Sequence, residues 1–164
     1  MKVDLIQVEP IALLPTQAGC AVFLGDGHKC IVFYIEPAIG ASINAVLSGQ
    51  KPPRPLTHDL FIQVLEAFGA TVTHVVISRV EEEIFYAHLH LSAENEIMEK
   101  KIINADARPS DCLALAVRQE APIMFVKSVW DEQADMTHIL EDLRKQGMSD
   151  SCLLYTSPSP RDRG

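Results

Sequence analysis

Two strand-like runs, residues 71–80 and 84–91, are separated only by the acidic turn Glu81-Glu82-Glu83. Both runs are rich in β-branched and aromatic residues, and apolar side chains alternate with polar ones in the second. A connection this short joins antiparallel strands, because parallel strands need a crossover of about a dozen residues or more. A second hairpin is predicted between residues 18–24 and 29–36, where Gly25-Asp26-Gly27 tolerates the positive φ of a tight turn.

Helical spacing of apolar residues follows Pro37, Thr57 and Pro109, and a longer amphipathic segment covers residues 131–146. Thr57 is expected to cap its helix, which would bury one stripe of side chains. That stripe consists of Phe61, Val64, Leu65 and Phe68. Shorter strands are predicted at residues 3–9, 97–104 and 123–126. These elements predict a single α+β domain in which a mixed, mostly antiparallel sheet carries three to four packed helices.

The last residues of the chain differ from the rest. Residues 152–164 have no helical or strand period, contain two Ser-Pro steps and resemble a translated sequencing adapter. The expected organisation is therefore one natural domain over residues 1–150 and a non-native tail over residues 151–164. Without residues 152–164, 12 basic and 21 acidic residues remain, and the net charge changes from −8 to −9.

The acidic charge and the absence of long apolar runs exclude several classes of protein. A net charge of −8 argues against a broad electrostatic grip on a polyanion. Four cysteines without a C-x-x-C pair indicate neither a zinc ribbon nor a thioredoxin-like site. No apolar run approaches the roughly 18 residues that span a bilayer, and the first ten residues include acids. We therefore expect a cytoplasmic protein without membrane contact.

Two polar segments, residues 54–59 (RPLTHD) and 106–111 (DARPSD), lie beside predicted helix starts, where backbone amides favour anions. If they converge, their three carboxylates can hold Mg²⁺ or Mn²⁺, which prefer oxygen ligands. Arg54 and Arg108 can then brace phosphate oxygens, and His58 can move a proton. The alternative is that the aspartates only complement helix dipoles and that the arginines lock turns through ion pairs.

Three blocks of sequence, residues 51–60 (KPPRPLTHDL), Phe85-Tyr86-Ala87 and residues 106–111, resemble the bifunctional nuclease domain family in order and separation. The resemblance covers about residues 5–130, and the segment after Ser128 is similar to a bacterial branch. It implies an α+β domain, often oligomeric, with the DNase and RNase activity attributed to plant members. Many members also carry a glutamate in the helix before the first block, which this chain lacks after Ile39-Gly40.

The leading hypothesis is a metal-dependent nuclease that hydrolyses phosphodiester bonds in DNA or RNA with low sequence specificity. DNA or RNA would be a transient partner, and exposed sheet edges favour a homo-oligomer. The alternative is a non-catalytic regulatory or protein-interaction domain of the same fold, favoured by the acidic charge and the missing glutamate. The candidate residues are His58, Asp59, Asp106 and Asp111 for catalysis, the same three aspartates for metal, and Arg54, Arg108 and Ser110 for substrate.

Overall fold

The computed structural model describes residues 3–145 and the backbone of Tyr155–Thr156. The strands within these residues are β1 Leu5–Thr16, β2 Gly19–Gly25, β3 Cys30–Ile35, β4 Ala70–Glu81, β5 Ile84–Glu94, β6 Lys100–Ala107, β7 Ile123–Val126 and β8 Tyr155–Thr156. The helices are α1 Pro37–Leu47, α2 Thr57–Ala67, α3 Pro109–Gln119, α4 Lys127–Glu132 and α5 Thr137–Lys145.

All the strands belong to one mixed sheet in the order β3-β2-β1-β7-β4-β5-β6, with β8 paired to β1. Every pair is antiparallel except β4 and β7, which are parallel. The predicted hairpins are confirmed, and Glu82 and Glu83 take positive φ angles of 51° and 66° in the turn between β4 and β5. This architecture confirms the α+β fold as a single domain with a mostly antiparallel sheet and packed helices.

The main core lies between one face of the sheet and the helices α1 and α3. Its largest fully buried side chains include Phe125, Trp130 and Leu113. A smaller cluster on the opposite face packs Phe23 against Leu140 of α5. Strand β2 is consequently buried along its whole length, whereas polar side chains of β5 such as His88 and His90 are only half-buried.

The predicted helix over residues 131–146 is wrong, because the segment contains the end of α4 and the separate helix α5. Gln133 has the extended angles φ −82° and ψ 142°, which end α4. Asp135 Oδ1 then accepts hydrogen bonds from the backbone N–H of Thr137 at 2.9 Å and of Cys30 at 3.3 Å. The carboxylate therefore starts α5 and ties it to β3, so the chain cannot continue as one helix.

Helix α2 also differs from the prediction. Leu56 is its capping residue and Thr57 its first helical residue, while Asp59 Oδ2 accepts the backbone N–H of Leu56 at 2.8 Å. Most of the expected buried stripe is exposed, with Phe61, Val64 and Phe68 at 42%, 47% and 81%. The helix contacts the core only through half-buried residues such as Ile62 and Leu65, so its outer side faces solvent.

Two strands extend beyond their predicted limits. β1 continues to Thr16, because residues 12–16 pair with β2 after a bulge between Pro10 and Ala12. β6 runs to Ala107 instead of ending at residue 104, which places Asp106 inside a strand and opposite His88 of β5. This strand position decides where the Asp106 carboxylate lies relative to α3.

The proposed non-native tail falls outside the described residues except for the backbone of Tyr155–Thr156, which pairs with Leu13 and Ala12. The division at residue 150 therefore stays a prediction. Within the part of the chain that the structure describes, no helix is both long and apolar enough to cross a membrane.

Candidate functional site

The first turns of α2 and α3 lie side by side and bring the two polar segments together. His58 of α2 and Asp111 of α3 are joined by a hydrogen bond of 2.9 Å between Nε2 and Oδ1. The side chains keep 14% and 30% of their surface exposed. The pair is therefore shielded from bulk water but can be reached by a small molecule or by one unit of a polymer.

Arg108 precedes α3 and fixes the Asp111 carboxylate from the other side. Its Nε donates to Asp111 Oδ2 at 2.9 Å, and its two terminal nitrogens donate to Glu36 Oε1 at 2.5 Å and to Asp111 Oδ1 at 3.4 Å. A guanidinium has five N–H donors, so two remain for an anion after these three bonds. Hydrogen bonds to Asp111 and Glu36 raise the pKa of Arg108, which therefore keeps its positive charge.

Asp111 is held in its ionised form. Partial burial by itself raises the pKa of this carboxyl, but the hydrogen bonds from Arg108 and His58, together with the charge of Arg108, outweigh it. The pKa of Asp111 consequently lies below its ordinary value. An ionised carboxylate can only accept a hydrogen bond, so Nε2 of His58 carries the proton in its bond with Asp111.

These groups face a cavity of about 650 Å³ that opens between α2 and the edge strand β6. The cavity contains residues from all three sequence blocks, including Phe85 and Tyr86 of the second block. Asp106 is a lining residue of the cavity, is exposed and has no hydrogen bond or ion pair with any described residue. Its side chain shares the strand face of His88, opposite to the face on which Ala105 and Ala107 pack against the core. The polar lining residues are Thr57, His58, Tyr86, Asp106, Arg108 and Asp111.

Asp59 takes no part in this cavity. Its Oδ1 accepts a hydrogen bond of 2.7 Å from Arg118 Nε, while its Oδ2 accepts the Leu56 N–H. Arg118 also donates to Ser42 Oγ at 2.6 Å and to the Ala114 carbonyl at 2.8 Å, and only 6% of its side chain is exposed. Asp59 and Arg118 line a second cavity of about 530 Å³ beside α1.

Comparison with known proteins shows which family the sequence around this cavity belongs to. Residues 22–137 match the model of the Bifunctional nuclease domain, and they contain all three sequence blocks. The chain belongs to the bifunctional nuclease domain family. The expected family is thereby confirmed, and the cavity at His58 lies entirely within the domain that defines it.

Two bacterial proteins are similar to this chain. They are Uncharacterized protein MT1877 of Mycobacterium tuberculosis strain CDC 1551 / Oshkosh and Uncharacterized protein Rv1829 of strain ATCC 25618 / H37Rv. Each is 32% identical to the chain over 129 residues, which is 79% of this chain and 69% of the relative. These bacterial relatives are consistent with a bacterial member of the bifunctional nuclease domain family.

Two of the residues predicted to bind substrate lie outside the His58 cavity of the nuclease domain. Arg54 is exposed in the loop before α2 and makes no hydrogen bond or ion pair with any described residue. Ser110 is 8% exposed and lines a neighbouring cavity with Glu36 and Tyr34, on the other side of Arg108. Arg108 therefore lines both cavities, whereas Ser110 faces only the neighbouring one.

Sequence reasoning missed Arg118 and Glu36, the partners that separate Asp59 from Asp111. Arg118 lies 59 positions from Asp59, and Glu36 lies 72 positions from Arg108 along the chain. Arg118 follows Asp111 by seven positions, so helical spacing places the two on one side of α3, but it does not indicate that Asp59 is the partner. Glu36 carried no comparable signal.

The residues placed here do not fit a shared Mg²⁺ or Mn²⁺ site. Among the described residues, no three His, Cys, Asp or Glu side chains form a group that can hold a metal ion. Both carboxylate oxygens of Asp59 and of Asp111 accept hydrogen bonds from the protein, and the two residues line different cavities.

Proposed function

We propose that this member of the family is a nuclease that hydrolyses phosphodiester bonds of DNA or RNA at the His58 cavity. The observation that carries the proposal is the hydrogen bond between His58 and Asp111 inside a cavity built from all three sequence blocks of the family. A histidine oriented by a carboxylate is a general base or acid, and phosphodiester cleavage needs both functions.

His58 accepts the proton of the nucleophile in this proposal. Its Nε2 proton is committed to Asp111, and no described residue forms a hydrogen bond with its Nδ1. A water molecule or a ribose hydroxyl at Nδ1 can therefore transfer its proton to the ring while its oxygen attacks phosphorus. The bond from phosphorus to the leaving sugar oxygen breaks, and this oxygen takes a proton from a water molecule in the cavity. His58 afterwards releases its proton to solvent. Asp111 then stabilises the imidazolium that forms, because the two charges are opposite and in contact.

Arg108 binds the phosphate. Its two remaining N–H groups are available on a guanidinium that Asp111 and Glu36 already hold in place, so little side-chain freedom is lost on binding. The positive charge of Arg108 stabilises the transition state more than the bound substrate, because extra negative charge develops on the phosphorus oxygens in the transition state. Asp106 lies at the rim of the cavity with its side chain on the outer face of β6, where it can accept a hydrogen bond from a sugar hydroxyl.

The wider charge of the chain limits how it meets its substrate. A net charge of −8 gives no general attraction for nucleic acid, so binding depends on the short-range contacts of the cavity. We expect weak, transient binding with low sequence specificity and an activity in the cytoplasm. Stimulation of cleavage by Mg²⁺ or Mn²⁺ stays a prediction for experiment.

A second candidate function is a non-catalytic regulatory or protein-interaction domain. It is supported by the ion pairs that Arg108 forms with Asp111 and Glu36, because these two carboxylates neutralise the positive charge of Arg108 within the protein. It is also supported by the exposed apolar side chains of α2, since such patches mark interaction surfaces. Cleavage of nucleic acid separates the two candidates.

The test is cleavage of fluorescently labelled single-stranded DNA, double-stranded DNA and RNA by the purified chain, with Mg²⁺, with Mn²⁺ and with EDTA. Replacing the general base in His58→Gln is expected to lower the rate about a hundredfold or more. The matched control is His28→Gln, the same change at an exposed histidine in the turn between β2 and β3. It is expected to keep the wild-type rate.

Two outcomes contradict the proposal. Cleavage that survives His58→Gln in every condition removes the His58 cavity as the active site. A wild-type chain that cleaves none of the three substrates in any condition contradicts the nuclease and supports the interaction domain.

A further inference from the structure

Strand β6 ends the sheet and leaves one of its edges open. Among the described residues it pairs only with β5, so the backbone N–H and C=O groups on its outer side have no backbone partner there. An open edge of this kind is a template for another strand. β6 has eight residues, which is long enough for a continuous ladder with a second strand.

The charges of β6 are arranged so that the strand complements itself when reversed. It begins with Lys100 and Lys101 and carries Asp106 near its other end. We infer that two copies of this chain pair antiparallel through β6, about a two-fold axis at Ile103. In this register Lys100 lies opposite Asp106 of the second copy, and Ile103 lies opposite its own counterpart.

The other registers lack this charge pairing. Residues directly opposite each other in an antiparallel ladder point to the same face, so a symmetric register can shift only in steps of two residues. A shift in one direction places Lys100 opposite Asn104, and a shift in the other places Ile102 opposite Asp106. A parallel, in-register pairing places Lys100 and Lys101 beside their own counterparts, where like charges repel.

Exposed apolar surface surrounds the same edge. Ile102 is 72% exposed, and Ile97 and Met98 in the turn before β6 are 74% and 78% exposed. Leu60 and Phe61 of α2 are 55% and 42% exposed, and Phe61 lines the His58 cavity together with residues of β6. A second copy on β6 buries part of this apolar surface, which a single chain leaves exposed to solvent.

The pairing also gives Asp106 a partner. Asp106 has no ion-pair partner among the described residues of its own chain. The second copy supplies Lys100 at that position, on the face of the sheet that carries His88, and by symmetry receives Lys100 of the first. The dimer thereby forms two ion pairs that a single chain cannot form.

Charge reversal with rescue tests the register. We expect the wild-type chain of 164 residues to sediment as a dimer in analytical ultracentrifugation. Lys100→Asp and Asp106→Lys each place like charges opposite each other twice per dimer, and each is expected to raise the dissociation constant about tenfold or more. The double variant restores opposite charges and is expected to return the dissociation constant towards the wild-type value. Lys51→Asp, an exposed lysine away from β6, is the matched control and is expected to leave it unchanged.

A cysteine at the axis gives an independent measurement. In a background with Cys152→Ser, Ile103→Cys places two thiols directly opposite each other, within the Cβ separation that a disulfide requires. Mild oxidation is expected to cross-link this variant into a covalent dimer. Lys101→Cys, two positions away on the same face of the strand, is too far from its counterpart and is expected to remain uncross-linked. Circular dichroism checks that each variant is folded.

The possible results separate this inference from the proposed function. A chain that stays monomeric at about 100 μM, or a dimer that ignores both charge reversals and does not cross-link at residue 103, overturns the pairing. A monomer that still cleaves nucleic acid leaves the proposed function standing without the pairing. A dimer that responds to the charge swap but cleaves nothing leaves the pairing standing without the proposed function.

Discussion

Asp59 and Asp111 occupy equivalent places in the two polar segments but end in different environments. Each lies in the first turn of a helix and pairs with an arginine. Arg118, the partner of Asp59, has 6% of its side chain exposed, whereas Arg108, the partner of Asp111, has 58% exposed. The comparison shows that the same pair of an aspartate and an arginine can support the fold at one position and a reactive group at another. The burial of the arginine decides between the two.

The largest expected effect follows from removing the acid of the buried pair. Asp59→Ala leaves the Arg118 guanidinium charged and without its carboxylate in a nearly closed environment. We expect the free energy of unfolding to fall by about 3 kcal/mol, as is typical when one partner of a buried ion pair is lost. Urea unfolding followed by circular dichroism measures this change.

The matching control removes both partners. In Asp59→Leu with Arg118→Met, no uncompensated charge remains, so the double variant is expected to be more stable than Asp59→Ala. If Asp59→Ala alone unfolds at the same urea concentration as the wild type, the pair contributes nothing to the fold. The contrast between the two aspartates then disappears.

Asp111 is expected to show the opposite balance of stability and activity. Its pair with Arg108 is largely exposed and screened by solvent, so Asp111→Ala is expected to lower the free energy of unfolding by about 1 kcal/mol or less. The same change frees the His58 ring, and under the proposed function the cleavage rate is expected to fall about tenfold or more. A variant that loses stability as severely as Asp59→Ala would place Asp111 among the structural residues instead.

The dependence of the free energy of unfolding on acid pH tests the pair of Asp59 and Arg118 in the wild-type chain. Burial raises the pKa of Asp59, but hydrogen bonds from Arg118 and the Leu56 N–H outweigh it and hold the pKa below its ordinary value. A carboxyl with a lower pKa in the folded chain stabilises the fold above its unfolded pKa of about 4, and this contribution is lost as the pH falls through the folded pKa.

The free energy of unfolding of the wild type is therefore expected to decrease from about pH 5 downwards. In Asp59→Asn the side chain no longer titrates, so the decrease is expected to be shallower. Urea unfolding of both proteins at several pH values between neutral and acid measures the two slopes. Equal slopes would show that Asp59 has the same pKa in the folded and unfolded chain.

Local patterns predicted the strands, the helices after Pro37 and Pro109, and the hairpins, because each depends on residues close together in the sequence. The same patterns failed where distant residues decide the outcome. Asp135 starts α5 and ties it to β3 by accepting the N–H of Cys30, and the parallel pairing of β4 with β7 joins strands far apart in the chain. Neither leaves a periodic signal.

The candidate site shows the same limit. The sequence identified His58, Asp111 and Arg108, and the fold brings all three to one cavity. It also grouped Asp59 with them, since spacing alone does not reveal that Arg118, which donates to Ser42, binds this carboxylate beside the other cavity. Only the packing of α1 against α3 separates the two aspartates.

The smallest expected effect concerns the outer side of α2, opposite the side that carries the buried pair. Helical spacing predicts a buried Phe68, but 81% of this residue is exposed. Phe68→Ser is therefore expected to change the free energy of unfolding by less than about 0.5 kcal/mol. Leu65→Ala, on the half-buried side of the same helix, is expected to cost more, because its side chain packs against the core. Urea unfolding at a protein concentration low enough to keep the chain monomeric measures both. A loss of about 3 kcal/mol in Phe68→Ser, as for a buried phenylalanine, would mean that this side of α2 is covered within a single chain.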